Sequence, residues 1–214
     1  MSHRTALSVL SAAVLASMSC AVMSDVPSPA APGHETSASL TAAANGTGAT
    51  GAPPPDAVVT EVRAELDRRR TGLAADELDA LAHAIVTEAR RHHLDPALVM
   101  AVMHVESRFN NFALSSVGAM GLMQILPSTG EELAAKHGVA WYGPQTLFDP
   151  VANVRLGIAY LKELSDRFGN LSTALAAYNW GPGHIDRRIR RGRQLPRVYP
   201  RLVLDAHAAV QGRS

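Results

Sequence analysis

The sequence predicts a mainly α-helical protein, one compact helical domain behind a disordered N-terminal segment. Three observations carry this. Apolar residues recur at spacings of three and four through most of the chain beyond residue 73, as they do in helices with one buried face. Two Asp-Pro pairs, Asp95-Pro96 and Asp149-Pro150, stand where such runs begin. Aromatic residues make up only 5% of the chain, alanine is abundant, and no convincing alternating strand pattern appears. A chain of 214 residues that is 47% hydrophobic can bury one core, so one domain is expected.

The first part of the chain reads as a targeting signal over 1–24. His3 and Arg4 form a short basic start, and an apolar run to Met23 ends in small residues. Ser8, Ser11, Ser17 and Ser19 dilute that run and no basic cluster follows it, which favours export to the periplasm over a membrane span. Cys20, the chain's one cysteine, resembles the lipidated cysteine of bacterial lipoproteins, although Ser17-Met18-Ser19 departs from the usual preceding motif. Ordinary cleavage nearby, for instance after Ser24, is the alternative. A lone cysteine rules out an intramolecular disulfide and a cysteine-based metal site.

Residues 25–72 read as a disordered tether, with a short helix over 58–70 ending in Arg68-Arg69-Arg70. The part up to about residue 57 is Pro, Ala, Gly, Ser and Thr, too poor in large apolar groups to offset the entropy of ordering. The arginine run is expected as a solvated helix end.

The domain proper is expected over 73–214. Leu78, Leu81, Ala82, Ile85, Val86 and Ala89 mark its first buried face, and Asp95-Pro96 opens a second helix carrying Leu98, Ala101, Val102 and Val105. Ser128 and Glu131 form a capping-box pattern, which predicts a third helix from Glu131 to about His137. Asp149-Pro150 opens a fourth, with Val154, Ile158, Leu161, Leu164 and Phe168 inward and Gly169 as its stop. Ser172 is expected to cap a short helix ending at Asn179, followed by Gly181-Pro182-Gly183. Further helix is expected from Arg187 and over 200–210.

Glu106 stands in the last turn of the second helix, among Met103, Val105 and Phe109. The negative end of a helix and apolar neighbours both disfavour the carboxylate, which raises its pKa towards the range of a general acid. On that pattern alone, a solvated helix-end glutamate is the better account.

The motifs around it add more. Glu106-Ser107 is followed by Ser115, Gly118-Ala119, Gly121-Leu122-Met123-Gln124-Ile125 and Pro127. Then come Leu147-Phe148-Asp149-Pro150, Asn153, Gly157, Tyr160 and Leu161, and finally Ala177-Tyr178-Asn179-Trp180-Gly181-Pro182-Gly183. In this order and spacing, over about residues 94–199, the sequence resembles the soluble lytic transglycosylases, relatives of goose-type lysozyme. The resemblance implies a lysozyme-like helical fold and cleavage of peptidoglycan glycan strands without metal or other cofactor. It implies Glu106 as the catalytic acid and base, and Ser115, Gln124, Tyr178 and Asn179 as groups that hold the glycan. Tyr199 is the candidate for the family's last site tyrosine, although Leu195 and Pro196 replace the usual Glu-Thr before it. In that family one glutamate protonates the leaving oxygen and then takes a proton from the sugar's own 6-hydroxyl, closing a 1,6-anhydro ring.

A lysozyme that uses water, and a non-catalytic peptidoglycan-binding module of a secretion or conjugation apparatus, are the competing readings. With 20 basic against 19 acidic residues the charge gives no ground for nucleic acid as a partner. The seven arginines from Arg187 to Arg201 are expected as a solvated face, with attraction to anionic peptidoglycan or an acidic protein as the functional alternative. His104-Val105-Glu106 lacks the cysteine pair of a zinc deaminase, and His92-His93 face different sides of a helix.

Overall fold

The computed structural model describes residues 55–212, so Cys20, the expected signal and most of the expected tether lie outside the described residues. Eight α-helices and one 3₁₀ turn make up this part: α1 (Pro55–Asp67), α2 (Ala75–Arg91), α3 (Pro96–Ser107), α4 (Pro127–His137), the 3₁₀ turn (Pro144–Phe148), α5 (Pro150–Phe168), α6 (Leu171–Trp180), α7 (Pro182–Arg190) and α8 (Val198–Gln211). The mainly helical class holds, with two isolated β-bridges, Leu114 to Met120 and Met120 to Ile125, among the described residues.

Helix α3 is the centre. Its residues Leu98, Val99, Met100, Ala101, Val102 and Met103 are all buried, so it presents apolar surface on every side. Helix α8 lies against α3, α2 packs on α5, and α5 on α6. The Asp95 carboxylate accepts the Ala97 N–H at 2.8 Å and Asp149 accepts that of Ala152 at 2.7 Å, so both Asp-Pro starts form as expected. Gly169 ends α5 in a left-handed conformation, φ 63°.

Four local expectations are corrected. Helix α4 begins at Pro127, not Glu131, with Leu126 at its cap and no side-chain cap bond. The proline's fixed φ starts the helix one turn earlier, which leaves Ser128 and Glu131 inside it and removes the capping box. Helix α6 is capped by Asn170, whose side chain accepts the Thr173 N–H at 3.0 Å, and not by Ser172. Helix α7 starts at Pro182, within the Gly-Pro-Gly stretch, and not at Arg187. Helix α1 packs on α2 and buries Val62 and Leu66 in the same core as Leu81 and Ile85, so it stands with the domain and not in a tether. Of the arginine run at its end, Arg68 and Arg69 both fold back onto Glu65, and Arg69 is half-buried.

The stretch from Arg108 to Leu126 has almost no regular structure, so its backbone polar groups need other partners. Asn153, fully buried on α5, serves two of them, its amide donating to the Met120 carbonyl at 3.0 Å and its oxygen accepting the Met123 N–H at 2.8 Å, and its amide also donates to the Leu147 carbonyl of the 3₁₀ turn at 2.9 Å. Gly121, at φ 77°, passes so close that a Cβ there would collide with the Leu147 carbonyl and the Asn153 amide. Gly157, one turn further along α5, leaves the room that Met123 fills.

Replacing Asn153 by Ala takes away the partner of the Met123 N–H and of the Leu147 carbonyl, while the Met120 carbonyl keeps the Ile125 N–H at 3.1 Å, and should cost about 3 kcal/mol. Asp149→Ala, which loses an exposed cap, should cost about 1 kcal/mol. Urea denaturation of both variants checks the order. An Asn153→Ala loss no larger than that of Asp149→Ala would show that the loop does not depend on this side chain.

Candidate active site

Glu106 ends the apolar run of α3, and the residues directly after it shape its surroundings. The helix closes on Arg108 in a left-handed conformation, φ 53°, and Phe109 continues it at φ 67° before turning its ring into the core. Ser107 Oγ lies 2.8 Å from the Leu122 carbonyl and 3.1 Å from that of Met103, tying the helix end to the Gly121–Ile125 turn. Helix α8 then brings Tyr199 across. Its hydroxyl donates to Glu106 Oε1 at 2.5 Å, joining residues 93 positions apart.

The electrostatics follow from this packing. Burial pushes the Glu106 carboxyl up to about 7, against a smaller downward pull from the Tyr199 hydroxyl. The negative end of α3 acts in the same upward direction. Tyr178 and Tyr199 are both held well above the usual phenol range, first by burial and then by the Glu106 charge, so both stay neutral hydrogen-bond donors. Tyr160, whose ring lies 5.2 Å from that of Tyr178, is pushed up to about 12 by burial, with Glu132 and Glu163 adding to it.

Of the other expected site residues, Tyr178 lies within reach of the Glu106 charge and shares a pocket with Gln124, whereas neither Ser115 nor Asn179 hydrogen-bonds to Glu106 or lines that pocket. Gln124, at φ 49°, spends its amide donors on the carbonyls of Ala113 at 3.1 Å and Gly121 at 2.9 Å, which directs its oxygen's capacity elsewhere. Tyr178 donates its hydroxyl to the Met123 carbonyl at 2.9 Å. Ser115 Oγ accepts the Ala119 N–H at 2.9 Å, and its own proton remains available to a ligand. Asn179 Oδ1 is buried with no hydrogen-bond partner among the described residues. Gln124 and Tyr178 also line a pocket with Leu126, Thr129, Tyr160 and Pro182.

The acids that could have paired with Glu106 have other places. Glu131 and Glu132 are exposed on α4, Asp149 caps α5, and Glu163 pairs with Lys136 and His137. No group of three or more potential metal ligands occurs among the described residues. Among the arginines from Arg187 to Arg201, Arg188 donates to the Gln194 carbonyl at 2.7 Å and Arg201 lies 3.5 Å from Asp205, while Arg187, Arg190, Arg191, Arg193 and Arg197 are exposed.

Ser107, Asn153 and Tyr160 belong to the sequence motifs, but the sequence assigns them no role. The signal for Asn153 is a polar residue next to Val154 on an otherwise apolar helix face. Nothing in the local sequence marks Ser107 as a tie to Leu122, because that contact depends on how the loop returns.

Comparison with known proteins adds the family. A family model, Transglycosylase SLT domain, matches residues 83–197, just over half of the chain. Relatives include a transglycosylase of Enterobacteria phage PRD1, 38% identical over 46% of this chain and 39% of its own length. The membrane-bound lytic murein transglycosylase C of Histophilus somni is 31% identical over 59% of this chain and 40% of its own. The soluble lytic murein transglycosylase of Salmonella typhimurium is 38% identical over 45% and 15% respectively, so the chain spans well under half the length of these relatives. The crystal structure of an inactive mutant of the lytic transglycosylase Slt from Pseudomonas aeruginosa superposes with a TM-score of 0.54 at 35% identity, over 61% of this chain and 23% of that one. Tyr199 lies two positions beyond the family match, yet it is the residue that touches Glu106. With the fold shared and the match spanning more than half of its residues, the chain belongs to the transglycosylase SLT domain family.

Proposed function

We propose that the protein is a peptidoglycan lytic transglycosylase that cleaves the β-1,4 bond between N-acetylmuramic acid and N-acetylglucosamine, with Glu106 as both acid and base. The observation that carries this is the Glu106 carboxyl, pushed up to about 7 and hydrogen-bonded on one oxygen by Tyr199. A group with that pKa is protonated often enough near neutrality to donate, and ionised readily enough to accept afterwards.

In this reading, Glu106 gives its proton to the bridging oxygen as the C1–O bond breaks. The sugar's N-acetyl group helps stabilise the cation that forms. The Glu106 carboxylate, steadied by the Tyr199 hydroxyl, then takes the proton of the 6-hydroxyl while that oxygen closes on C1. The 1,6-anhydro end results, and Glu106 is protonated again. Ser115 can donate a hydrogen bond to the sugar, whereas Gln124 and Asn179 offer acceptor oxygens. Tyr178, whose donor is taken by Met123, serves as a wall and an acceptor. Holding the ring for internal attack makes the second step unimolecular.

We also place the enzyme in the cell envelope, exported by the 1–24 signal, with Cys20 as a lipid anchor. A related protein bears the name membrane-bound lytic murein transglycosylase C, and among the described residues no helix is long and apolar enough to cross a membrane. Work alongside an envelope-spanning secretion or conjugation machine fits the same location.

Glu106→Gln should lower strand cleavage by about 10² to 10⁴ while binding to purified peptidoglycan persists. It should also alter stability with a definite sign. Below the ordinary glutamate pKa, both folded and unfolded chains are protonated at this position. Between that value and about 7 only the unfolded chain releases the proton, so wild-type stability falls as pH rises through this window. Glutamine does not titrate, so relative to wild type the variant should gain on the order of 3 kcal/mol between pH 4 and pH 8. Urea unfolding at both pH values, beside a zymogram, reads both effects. Wild-type activity, or an equal stability difference at the two pH values, would overturn the assignment.

Product chemistry separates internal attack from hydrolysis. A hydrolase needs a second carboxylate about 5 to 9.5 Å from the first, to attack the sugar or activate water. Digestion in heavy-oxygen water should give unlabelled 1,6-anhydro-N-acetylmuramic acid ends by mass spectrometry. Labelled reducing ends as the main product would mean a lysozyme instead, and unchanged strands a binding module.

A further inference from the structure

Directly after Glu106-Ser107 the backbone takes two consecutive left-handed residues, Arg108 at φ 53° and Phe109 at φ 67°. Neither is glycine, and such a pair persists only where its surroundings over-determine it. Part of what holds it comes from the connection between α1 and α2, which precedes the residues 83–197 matched by the family model.

The Arg69 guanidinium lies over the Phe109 ring, 5.0 Å from its centre. Glu65 anchors the same guanidinium and also takes Arg68. Arg69 Nε is buried without a hydrogen-bond partner among the described residues, so hydrogen bonding alone does not account for the placement, whereas attraction to the ring face does. Two residues on, the buried Thr71 carbonyl accepts the Asn111 N–H at 3.0 Å, and the Asn111 side chain donates to the Phe148 carbonyl at 2.8 Å. The chain between Glu106 and Ser115 is therefore gripped at Phe109 and at Asn111 by a segment that carries none of the site residues.

We propose that Arg69 is a positioning residue for Glu106. Through Phe109 it fixes the left-handed turn that ends α3, and with it the aim of the Glu106 carboxyl at Tyr199 and the bound sugar. The inference rests on reading Glu106 as the acid. A purely structural Arg69, an ion-pair partner for Glu65, would influence stability slightly and catalysis not at all, since half-exposed pairs of this kind contribute little.

The test uses the full chain with Arg69→Gln, Arg69→Lys, Phe109→Leu and the Arg69→Gln/Phe109→Leu double variant, assayed on purified peptidoglycan where circular dichroism shows each folded. Arg69→Gln should lower kcat about tenfold with KM within about twofold, because geometry is lost and binding is not. The alkaline limb of its kcat profile, which reports loss of the Glu106 proton, should move. Arg69→Lys should recover most of the rate, since an ammonium over the ring keeps the attraction. The double variant should be no slower than Phe109→Leu, and if Arg69→Gln does not fold, Arg69→Lys and Phe109→Leu read the same contact. A kcat for Arg69→Gln within about twofold of wild type, or single effects that multiply in the double variant, would overturn the inference. Should the wild type itself be inactive, the reading of Glu106 fails separately. The clamp is then judged on the pH titration of the Glu106 carboxyl, where a midpoint moved by Arg69→Gln supports it and an unmoved one overturns it.

Discussion

A carboxyl group withdrawn from water at the end of an apolar helix, against a tyrosine hydroxyl, is the constraint on which the rest of this structure turns. Keeping Glu106 in that setting requires the apolar surface of α3 to be covered, and α2 and α8 pack against it. It requires α8 to return from far along the chain and set Tyr199 within 2.5 Å. It also requires the loop after α3 to pass close by without burying unpaired backbone groups, which Asn153 and Ser107 make possible. Each of these features costs conformational freedom or leaves a group in an unfavourable state. Strain and burial of this kind concentrate where function needs them.

Under the proposed function, the hydrogen-bond pattern refines what the individual residues would offer a sugar. Gln124 and Tyr178 look interchangeable with other polar groups in the sequence, yet their donors are committed to the loop backbone. They hold the Gly121–Ile125 turn in place first and present acceptor oxygens second. Ser115 is the reverse, with its oxygen engaged and its proton free. In the proposed reading the site is a mixture of donors and acceptors whose directions are set by the protein before any ligand arrives, which would lower the cost of ordering a substrate.

Much of this is legible in the sequence, and the parts that are not share a cause. The starts of α3 and α5 are readable because an aspartate cap and an N1 proline act within a few residues of each other. The start of α4 is masked because Ser128 and Glu131 fit a local pattern, while Pro127 has already begun the helix. At α6, Asn170 and Ser172 both suit a cap, and only the turn after Gly169 decides for the former. Helix α1 looks too isolated in sequence to belong to the domain, since the surface that buries Leu66 comes from other helices. Glu106 with Ser115, Gln124, Tyr178 and Asn179 can be read through motif order. The approach of Tyr199 to Glu106 depends on how α8 packs against α3, and no spacing in the chain encodes that.

Burial, on this view, is the main influence that holds the Glu106 proton near neutrality. Carbon-13 NMR of the glutamate side-chain carboxyls, with Glu106 assigned through the Glu106→Gln variant, observes that proton without relying on turnover. A titration midpoint near 7 is the expected result, rising further in Tyr199→Phe, where the hydroxyl that favours the carboxylate is gone. A midpoint near the ordinary glutamate value of 4.5, unchanged by Tyr199→Phe, would contradict it.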